Sequence, residues 1–507
     1  MRAFIFAIGG TGARVLNALI MQLAAGAQPK DQDGNLITSI VPIIIDPHAT
    51  NDALTKSTSL LHLYKSIRQT IYRDNESTEG FFGTKIETLH DINRDNNNIA
   101  DQFYFQLNNV TNNTFSNFIQ ENNITDASTL HFINTLYSRQ EKGTNMNIGF
   151  EGSPNIGSVA LSEFSKSHDF EAFRNVYQEG DKLFFIGSIF GGTGAAGLPL
   201  FISKIRDLAH RQNNDNHNID CAHAPIGALI VMPYFSITYN NDSSINQEDW
   251  LPKVRSALDY YDQHLNNKIN DIYYLADPQM TTPFFNDAGQ NSQSGNRAHL
   301  VEFVGANAFF HFIQSNNVTT NGNDIVTATQ TKYYRYDLNN ANLTVTFNEF
   351  PQQTNDTLQR HLMAFHILRN FMISLPQLLD RPFACKYAPK IEGNILSQDI
   401  KNFWNKYDDW LNQMKNHGVN AHNLDLFAEC QHGNYTDLFN GVDTKQGIIF
   451  KKTKKTVDNS VIIRKLNEVA EQHNQYANQY SRWFNIAFKA INEVIEENYN
   501  LGNNQNR

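Results

Sequence analysis

Residues 181–207 read DKLFFIGSIFGGTGAAGLPLFISKIRD, and this stretch decides the predicted fold. A short apolar run at 183–186 leads into a glycine-rich turn at 191–197, and an amphipathic segment follows the turn. Glycine suits such a turn because backbone N–H groups can approach an anion closely where no Cβ stands in the way. The N-terminus of the following helix adds a favourable partial positive charge. The stretch therefore predicts a strand, an anion-binding turn and a helix.

A second glycine turn lies near the start of the chain, in the segment IGGTGARV at residues 8–15. No Lys-Ser or Lys-Thr pair ends this turn, so it is not a Walker-type loop. Val15 stands where a dinucleotide-binding fingerprint that counts from Gly10 and Gly12 requires its third glycine. Taken alone, this turn is compatible with a dinucleotide or with another phosphate-bearing ligand.

Strand-like and helix-like segments alternate along the first half of the chain. The apolar segments 3–8, 40–46, 182–189, 226–235 and 271–277 predict buried strands. Alternation of buried strands with helices indicates an α/β fold, with a doubly wound and mostly parallel sheet covered by helices on both faces. Ligands of such sheets bind at the carboxyl ends of the strands, where both glycine turns are placed.

With 507 residues, the chain exceeds what one hydrophobic core usually supports, so we expect several domains. A strongly apolar helix at 297–314 ends the alternating part, and the segments 324–338 and 341–350 beyond it predict a β-hairpin. The predicted organisation is an α/β domain at 1–295, a long core helix at 296–316, a smaller α/β domain at 317–380 and a helical C-terminal extension at 381–507.

Composition limits the partners and the compartment. A net charge of -10 and a pI of about 5.9 argue against nucleic acid or an anionic membrane surface as the main partner. No stretch approaches the roughly 18 uninterrupted apolar residues that a membrane span needs. Cys221, Cys385 and Cys430 are too far apart for a disulfide framework or for a metal site with paired ligands. We therefore expect a cytoplasmic protein without a cysteine or histidine metal site.

The two glycine turns together resemble the phosphate-binding parts of the tubulin/FtsZ superfamily. GGTGAAG is similar to its GGGTG(S/T)G signature, although Phe190 replaces the first glycine and Ala195 replaces the hydroxyl residue. The segments IIIDPHATNDAL (43–54) and GSPNIGS (152–158) resemble two further loops around the phosphates. Arg14 has an alternative role in a surface ion pair. The resemblance implies that GTP or GDP phosphates and Mg²⁺ lie against Gly9, Gly10, Thr11, Gly12, Arg14, Asp46, Pro154, Asn155, Gly157, Gly191, Gly192, Thr193, Gly194 and Ala195.

The resemblance extends to the residues around the ribose and the base. VMPYFS at 231–236 and NDIYYLADPQM at 270–280 resemble later segments of the superfamily, which implies that Asp277 contacts the ribose or the guanine. In the segment EFVGAN, the resemblance implies that Phe303 stacks on the guanine and that Asn307 hydrogen-bonds its edge. These two residues are one helical turn apart and share a face. The alternative is that both belong to an ordinary core helix.

Members of the superfamily assemble head to tail, and acids from the next subunit orient the attacking water during GTP hydrolysis. No NxDxxD/E pattern follows the apolar helix of this chain. Asp356 is the candidate for an acid supplied in trans, and its alternative role is a helix N-cap. The resemblance, which covers residues 1 to about 315, thus implies a divergent bacterial tubulin-like GTPase that polymerises with itself.

Two other functions are compatible with the same residues. A nucleotide-binding scaffold without turnover would recruit a protein partner through its C-terminal helices. A Rossmann-type NAD(P)-binding protein is disfavoured, because the second glycine turn would then have no role.

Overall fold

The structure is a computed structural model of the chain. It describes residues 1–47, 52–73, 77–94, 99–105, 107, 110, 113–146, 150, 153–208, 220–234, 247–277, 297–315, 331–336, 343–379, 395–417, 421–446, 454–472 and 478–501. The strands are β1 (Arg2–Ile8), β2 (Ser39–Ile45), β3 (Lys182–Ser188), β4 (Ile226–Val231), β5 (Asp271–Leu275), β6 (Lys332–Tyr336), β7 (Thr344–Val345) and β8 (Asn423–Leu424).

The helices of the first half are α1 (Gly9–Ala24), α2 (Asp52–Tyr72), α3 (Leu89–Ile92), α4 (Phe115–Phe118), α5 (Ala127–Leu136), α6 (Arg139–Gly143), α7 (Pro154–Leu161), α8 (His168–Val176), α9 (Gly192–Asp207) and α10 (Gln247–Leu265). Those that follow are α11 (Leu300–Gln314), α12 (Gln352–Leu379), α13 (Ile395–Lys415), α14 (Asn459–Gln472) and α15 (Gln479–Asn498). Within the residues described, none of these helices is both long enough and apolar enough to span a bilayer.

Six parallel strands form the main sheet, in the order β2-β1-β3-β4-β5-β6. Backbone bridges of Ile40 with Ile86 and of Ile44 with Tyr104 continue the parallel pairing beyond β2. The five strands expected from the apolar segments are confirmed as β1 to β5. Each of these segments reads as a nearly continuous apolar run because a parallel strand is buried on both faces.

Helices cover both faces of the sheet, so alternate strand residues enter two separate hydrophobic cores. In β1, Ile5 and Ala7 point into the core shared with α1, α2 and α11. Phe4 and Phe6 point into the core shared with α7 to α10. All four side chains are fully buried. The expectation of an α/β fold with a parallel sheet covered on both sides is therefore confirmed.

Lys182, at the start of β3, fixes the C-terminal end of α11. Its Nζ donates to the carbonyl oxygens of Phe312, Ile313 and Ser315 at 3.3, 2.8 and 2.8 Å. These carbonyls lie at the C-terminal end of α11 and on the residue that follows it, where a helix leaves carbonyl groups short of N–H donors. Burial lowers the pKa of Lys182 to about 8. The lysine thus caps α11 and aligns it across the face of the sheet.

The predicted β-hairpin is wrong. β6 is the edge strand of the main sheet and runs parallel to β5, and β7 pairs in parallel with β8. The Tyr273 and Tyr334 rings stack across β5 and β6 with their centroids 4.9 Å apart. Aromatic cross-strand pairs stabilise sheets, and β5 offers β6 such a partner. Parts of the predicted hairpin, at 324–330 and 337–342, lie outside the described residues.

The C-terminal helices pack on the first half of the chain. Phe82, which follows α2, contacts the rings of Phe365, Phe403 and Phe484, which belong to α12, α13 and α15. These rings and the apolar face of α1 share one hydrophobic core. The proposed domain boundaries near 316 and 380 stay a prediction, and the described helices beyond them form a layer over α1 and α2.

Candidate functional site

The order in which successive strands are added to the sheet reverses between β1 and β3. From β1 the chain goes to β2 on one side, and it returns to β3 on the other side of β1. The helices that follow these two strands, α1 and α9, lie on opposite faces of the sheet. A crevice outside the carboxyl ends of the strands forms at such a switch point and is the usual ligand site of doubly wound folds. Both glycine turns open into this position.

The two turns touch each other. Gly9 has φ +71°, and a Cβ built on it would lie 3.4 Å from the backbone N of Gly194 and 3.4 Å from Cβ of Thr193. A side chain at position 9 would therefore adopt a strained backbone and crowd the second turn. In Gly194 the corresponding Cβ would lie 2.7 Å from the carbonyl oxygen of Ser188. The two turns therefore meet at the same edge of the sheet.

Both helices begin without a capping side chain. The N-cap residues are Ile8 for α1 and Gly191 for α9, and neither makes a side-chain cap hydrogen bond. Neither helix carries an acidic residue in its first turn. The first N–H groups of a helix need an acceptor, and the helix dipole favours a negative one. Two such helix starts side by side would stabilise an anion placed between them.

A third predicted phosphate loop lies at the start of α7 and packs against the second glycine turn. A Cβ on Gly157 would lie 2.8 Å from Cβ of Ala196 and 2.9 Å from the carbonyl oxygen of Gly192. Pro154 occupies the first turn of α7, next to this contact. Asn155 is exposed, and its Nδ2 donates to Glu141 Oε1 at 3.0 Å. The segment 153–158 therefore lies against the start of α9, as the sequence predicts for a loop beside the phosphates.

Asp46 directly follows β2 at the same edge of the sheet. Ile45 pairs with Ile8, so Asp46 is level with Gly9 along the strand ends. Asp46 is 9% exposed. Asp46 thus lies at the edge beside the crevice, and a carboxylate is the kind of oxygen ligand that a divalent cation bound to phosphate would need. Residues 48–51 of the same predicted loop lie outside the described part of the chain, as do 152, 235–236 and 278–280 of the other matched segments.

Arg14 belongs to a buried polar network. Its guanidinium donates to Glu302 Oε1 at 2.7 Å, to the Tyr234 hydroxyl at 2.7 Å and to Thr11 Oγ1 at 3.1 Å. The Tyr234 hydroxyl donates in turn to Glu302 Oε1 at 2.9 Å. Burial alone lowers the pKa of Arg14, but Tyr234 and Glu302 together raise it above its ordinary value. Arg14 is therefore paired inside the protein and not on its surface.

The network continues into a cluster of histidines around Asp277, at the end of β5. Both carboxylate oxygens of Asp277 lie 3.0 Å from Nδ1 of His422, and Oδ2 lies 3.7 Å from Nε2 of His299. Burial, with the nearby His417 and His422, lowers the pKa of His299 well below its usual range. His299 Nδ1 accepts from the Val301 N–H, so the neutral ring carries its proton on Nε2. The carboxylate predicted to contact ribose or guanine is thus hydrogen-bonded by His422, and His299 lies next to it without a hydrogen bond.

The two residues predicted to contact the base, Phe303 and Asn307, lie in different environments. The Phe303 ring is buried against Phe350 and Trp410, with centroids 5.5 and 6.0 Å away. Asn307 lines a cavity between α11 and α12, to which Asp356 also contributes.

Asp356 lies in the second turn of α12 and accepts from Gln352 Nε2 at 2.8 Å, so its alternative role as an N-cap is wrong. The remaining predicted contact residues lie in the first helical turns of α1 (Gly10, Thr11 and Gly12) and α9 (Thr193 and Ala195).

Sequence patterns missed Tyr234, Glu302 and the histidines. Tyr234 and Glu302 read as core residues, and His299 and His422 show no metal-ligand spacing in the sequence. A carboxylate inside an apolar helix, as at Glu302, was the one available signal, because such a group is buried only with a partner.

Neither a known family model nor a curated protein sequence matches the chain.

Proposed function

We propose that the protein binds GTP with Mg²⁺ at the crevice between β1 and β3 and assembles head to tail as a tubulin-like GTPase. The observation that carries the proposal is the contact of the two glycine turns, Gly9 against Gly194, at two uncapped helix starts. A polyphosphate placed there accepts hydrogen bonds from both turns and gains from both helix dipoles. Two facing turns offer a chain of phosphates backbone N–H donors from two sides.

The finer parts of the proposal follow from the likeness of the sequence to the tubulin/FtsZ superfamily. In that mechanism the phosphates are positioned by backbone amides, their charge is offset by Mg²⁺, and the attacking water is oriented by an acid of the next subunit. Asp46 would orient the cation, and Asp356, which is exposed on α12, would act in trans. A heterologous contact of this kind does not close on itself and therefore builds a filament.

The test begins with the nucleotide that accompanies the purified full-length chain. Denaturing extraction followed by chromatography should release GTP or GDP. Recovery of NAD(P) instead would overturn the proposal in favour of a Rossmann-type binder. Phosphate release should then rise more than linearly with protein concentration, because each active site needs two subunits. Bound guanine nucleotide with no release at any concentration would favour the scaffold that recruits partners through its C-terminal helices.

A pair of variants at Gly191 tests the position of the phosphates. Gly191 has φ -87° and ψ 157°, so other residues fit its backbone, and a Cβ there would meet only Ser188 Oγ, at 3.0 Å. Aspartate and asparagine both cap helices well, so Gly191→Asp and Gly191→Asn should fold alike. The aspartate adds a negative charge at the start of α9, and GTP affinity should fall at least about tenfold relative to the asparagine variant. Equal affinities would place the phosphates elsewhere.

A further inference from the structure

An arm of the chain extends from the edge of the sheet that carries the glycine turns. The backbone N–H of Phe105 donates to the carbonyl oxygen of Ile44 at 3.0 Å, so the chain reaches the carboxyl edge of the sheet beside β2. Residues 113–146, which include α4, α5 and α6, form the arm. The arm leads into α7, which packs against Gly192 at the same edge. Both ends of the arm therefore lie at the edge that holds the proposed phosphate position.

The helix α5 of this arm is apolar, and the rest of the described chain does not cover it. None of its ten residues, all of which the structure describes, is buried. Phe132 and Leu136 are 61% and 49% exposed, and they lie one helical turn apart on the same face. A helix of this length is marginally stable in water unless an apolar face is packed. The exposed face of α5 is therefore suited to packing against another molecule.

The cavity between α11 and α12 extends to the opposite edge of the sheet. It has a volume of about 800 Å³, and Leu275, Phe310 and Tyr334 form part of its wall. Ser315 also lines it, and the carbonyl oxygen of Ser315 accepts from Lys182 at the start of β3. The cavity thus reaches the amino edge of the sheet, and its size and apolar wall suit large hydrophobic side chains.

The helix α5 and the cavity lie towards opposite edges of one chain. Lys142 donates to Asn134 Oδ1 at 2.5 Å and so holds α5 beside α6, which Asn155 ties to the start of α7. Lys30, which lines the cavity, follows the far end of α1, a helix of 16 residues that is about 24 Å long. A contact between the two surfaces therefore joins two copies of the chain. Because the contact is heterologous, it repeats along a filament.

The acid that is proposed to act in trans gives this contact its direction. Asp356 lines the same cavity. When Asp356 of one copy faces the phosphates of its neighbour, the cavity around Asp356 faces the edge from which the neighbour's arm extends. The arm and the cavity are thus on the two surfaces that the proposed assembly brings together.

We propose that Phe132 and Leu136 of one copy insert into the cavity of the next copy and anchor the head-to-tail contact. An aromatic side chain that fills a pocket of its partner is a common anchor of protein interfaces. Burial on the neighbour also supplies the packing that α5 lacks within a single copy. This inference rests on the proposed head-to-tail assembly and names the surfaces that hold it together.

The double variant Phe132→Gln, Leu136→Gln removes the apolar face of α5 and retains helix-forming residues. In GTP and Mg²⁺, the concentration at which the full-length chain begins to sediment as filaments should rise at least about tenfold, because two apolar side chains lose their burial. GTP affinity below that concentration and the melting temperature should not change, since both side chains are exposed in a single copy. Ile373→Gln, at a side chain that is 58% exposed on α12, is the matched control and should assemble like the parent protein.

Cross-linking identifies the surfaces that meet. Ala308 lines the cavity and is half-buried, so a chain with both Phe132→Cys and Ala308→Cys should form a ladder of covalent oligomers with a short bismaleimide. Each single variant should give no ladder, and neither should the pair Phe132→Cys with Ile373→Cys. These controls also account for the native cysteines.

The outcomes separate this inference from the proposed function. If the parent protein assembles with GTP, then normal assembly of the glutamine variant, or the absence of a ladder from the Phe132 and Ala308 pair, would overturn the inference alone. A parent protein that does not assemble at any concentration would overturn the head-to-tail proposal and this inference together.

Discussion

Arg14 Nε lies 2.7 Å from Glu302 Oε1, and this contact joins α1 to α11 just behind the first glycine turn. The side chains are only 13% and 2% exposed, so the ion pair is buried. Glu302 also accepts, through Oε2, from the backbone N–H of His299 and so caps the helix on which it lies. One carboxylate therefore fixes the start of α11, the Tyr234 hydroxyl and the first turn of α1.

Glu302→Gln should destabilise the protein by about 3 kcal/mol or more, because it leaves the Arg14 guanidinium buried without a counter-charge. Urea denaturation at pH 7 would measure the free energy of unfolding. The control is Asp437→Asn, which breaks an ion pair with Lys454 whose side chains are 55% and 74% exposed. Exposed ion pairs contribute little to stability, so Asp437→Asn should not measurably change the free energy of unfolding. A similar, small effect of both substitutions would contradict the importance of the buried pair.

Gly157→Ala should loosen the contact between α7 and α9. The added Cβ would lie 2.9 Å from the carbonyl oxygen of Gly192, which is backbone and cannot rotate away. Overpacking of this kind costs about 1–3 kcal/mol of stability. Because Gly192 is in the second glycine turn, affinity for the proposed nucleotide should fall together with stability. Gly143→Ala is the control, since a Cβ at Gly143 meets nothing within 4 Å. Unchanged melting and nucleotide binding in the Gly157 variant would show that α7 is free to move.

Buried histidines should make the fold sensitive to acid. Burial lowers the pKa of His366 from 6.5 to about 3, and the charge of Arg369 acts in the same direction. The unfolded chain takes up a proton below about pH 6.5, whereas the native ring resists protonation until about pH 3. This contribution to stability is complete above pH 6.5 and is lost as the pH falls towards 3, by about 2 kcal/mol between pH 7 and pH 5.

His366→Phe should remove that part of the pH dependence. The His366 ring stacks on Phe427 with centroids 4.0 Å apart, and a phenyl ring would keep this stacking. Free energies of unfolding at pH 7 and pH 5 should therefore differ less in the variant than in the parent protein. His264→Phe replaces a histidine stacked on Tyr260 at the surface and should leave the difference unchanged. An identical pH dependence in all three proteins would refute the buried-histidine explanation.

Sequence patterns could predict those parts of the fold that depend mainly on residues close together in the chain. β1 and β3 were recognisable because strands covered on both faces are continuously apolar. The glycine turns were recognisable because they exclude a Cβ: Gly9 has φ +71°, and a Cβ on Gly194 would lie 2.7 Å from Ser188 O. The pairing of β6 with β5 was not predictable in this way, since the choice of a strand partner depends on distant residues such as Tyr273.

Long-range burial explains the other misses. Asp277 and His422 are 145 residues apart in the chain, and nothing near either of them indicates that they form a buried pair. Phe303 has the sequence neighbours of a base-stacking residue, yet helices from the C-terminal half cover it with Trp410. An apolar helix face predicts that the face is buried. Which residues pack against it depends on the rest of the fold.

The position of β1 between β2 and β3 has a consequence for how the protein is made. Arg2 binds Asp181 through its backbone N–H at 2.7 Å, across a separation of 179 residues, and β3 follows immediately. At synthesis rates of about 5–20 residues per second, β1 waits roughly 10–35 s for this neighbour to emerge from the ribosome. During that interval its apolar residues have no complete sheet to join. Nascent chains that end before β3 should therefore be captured by chaperones or aggregate, whereas chains extended through β5 should begin to resist proteolysis.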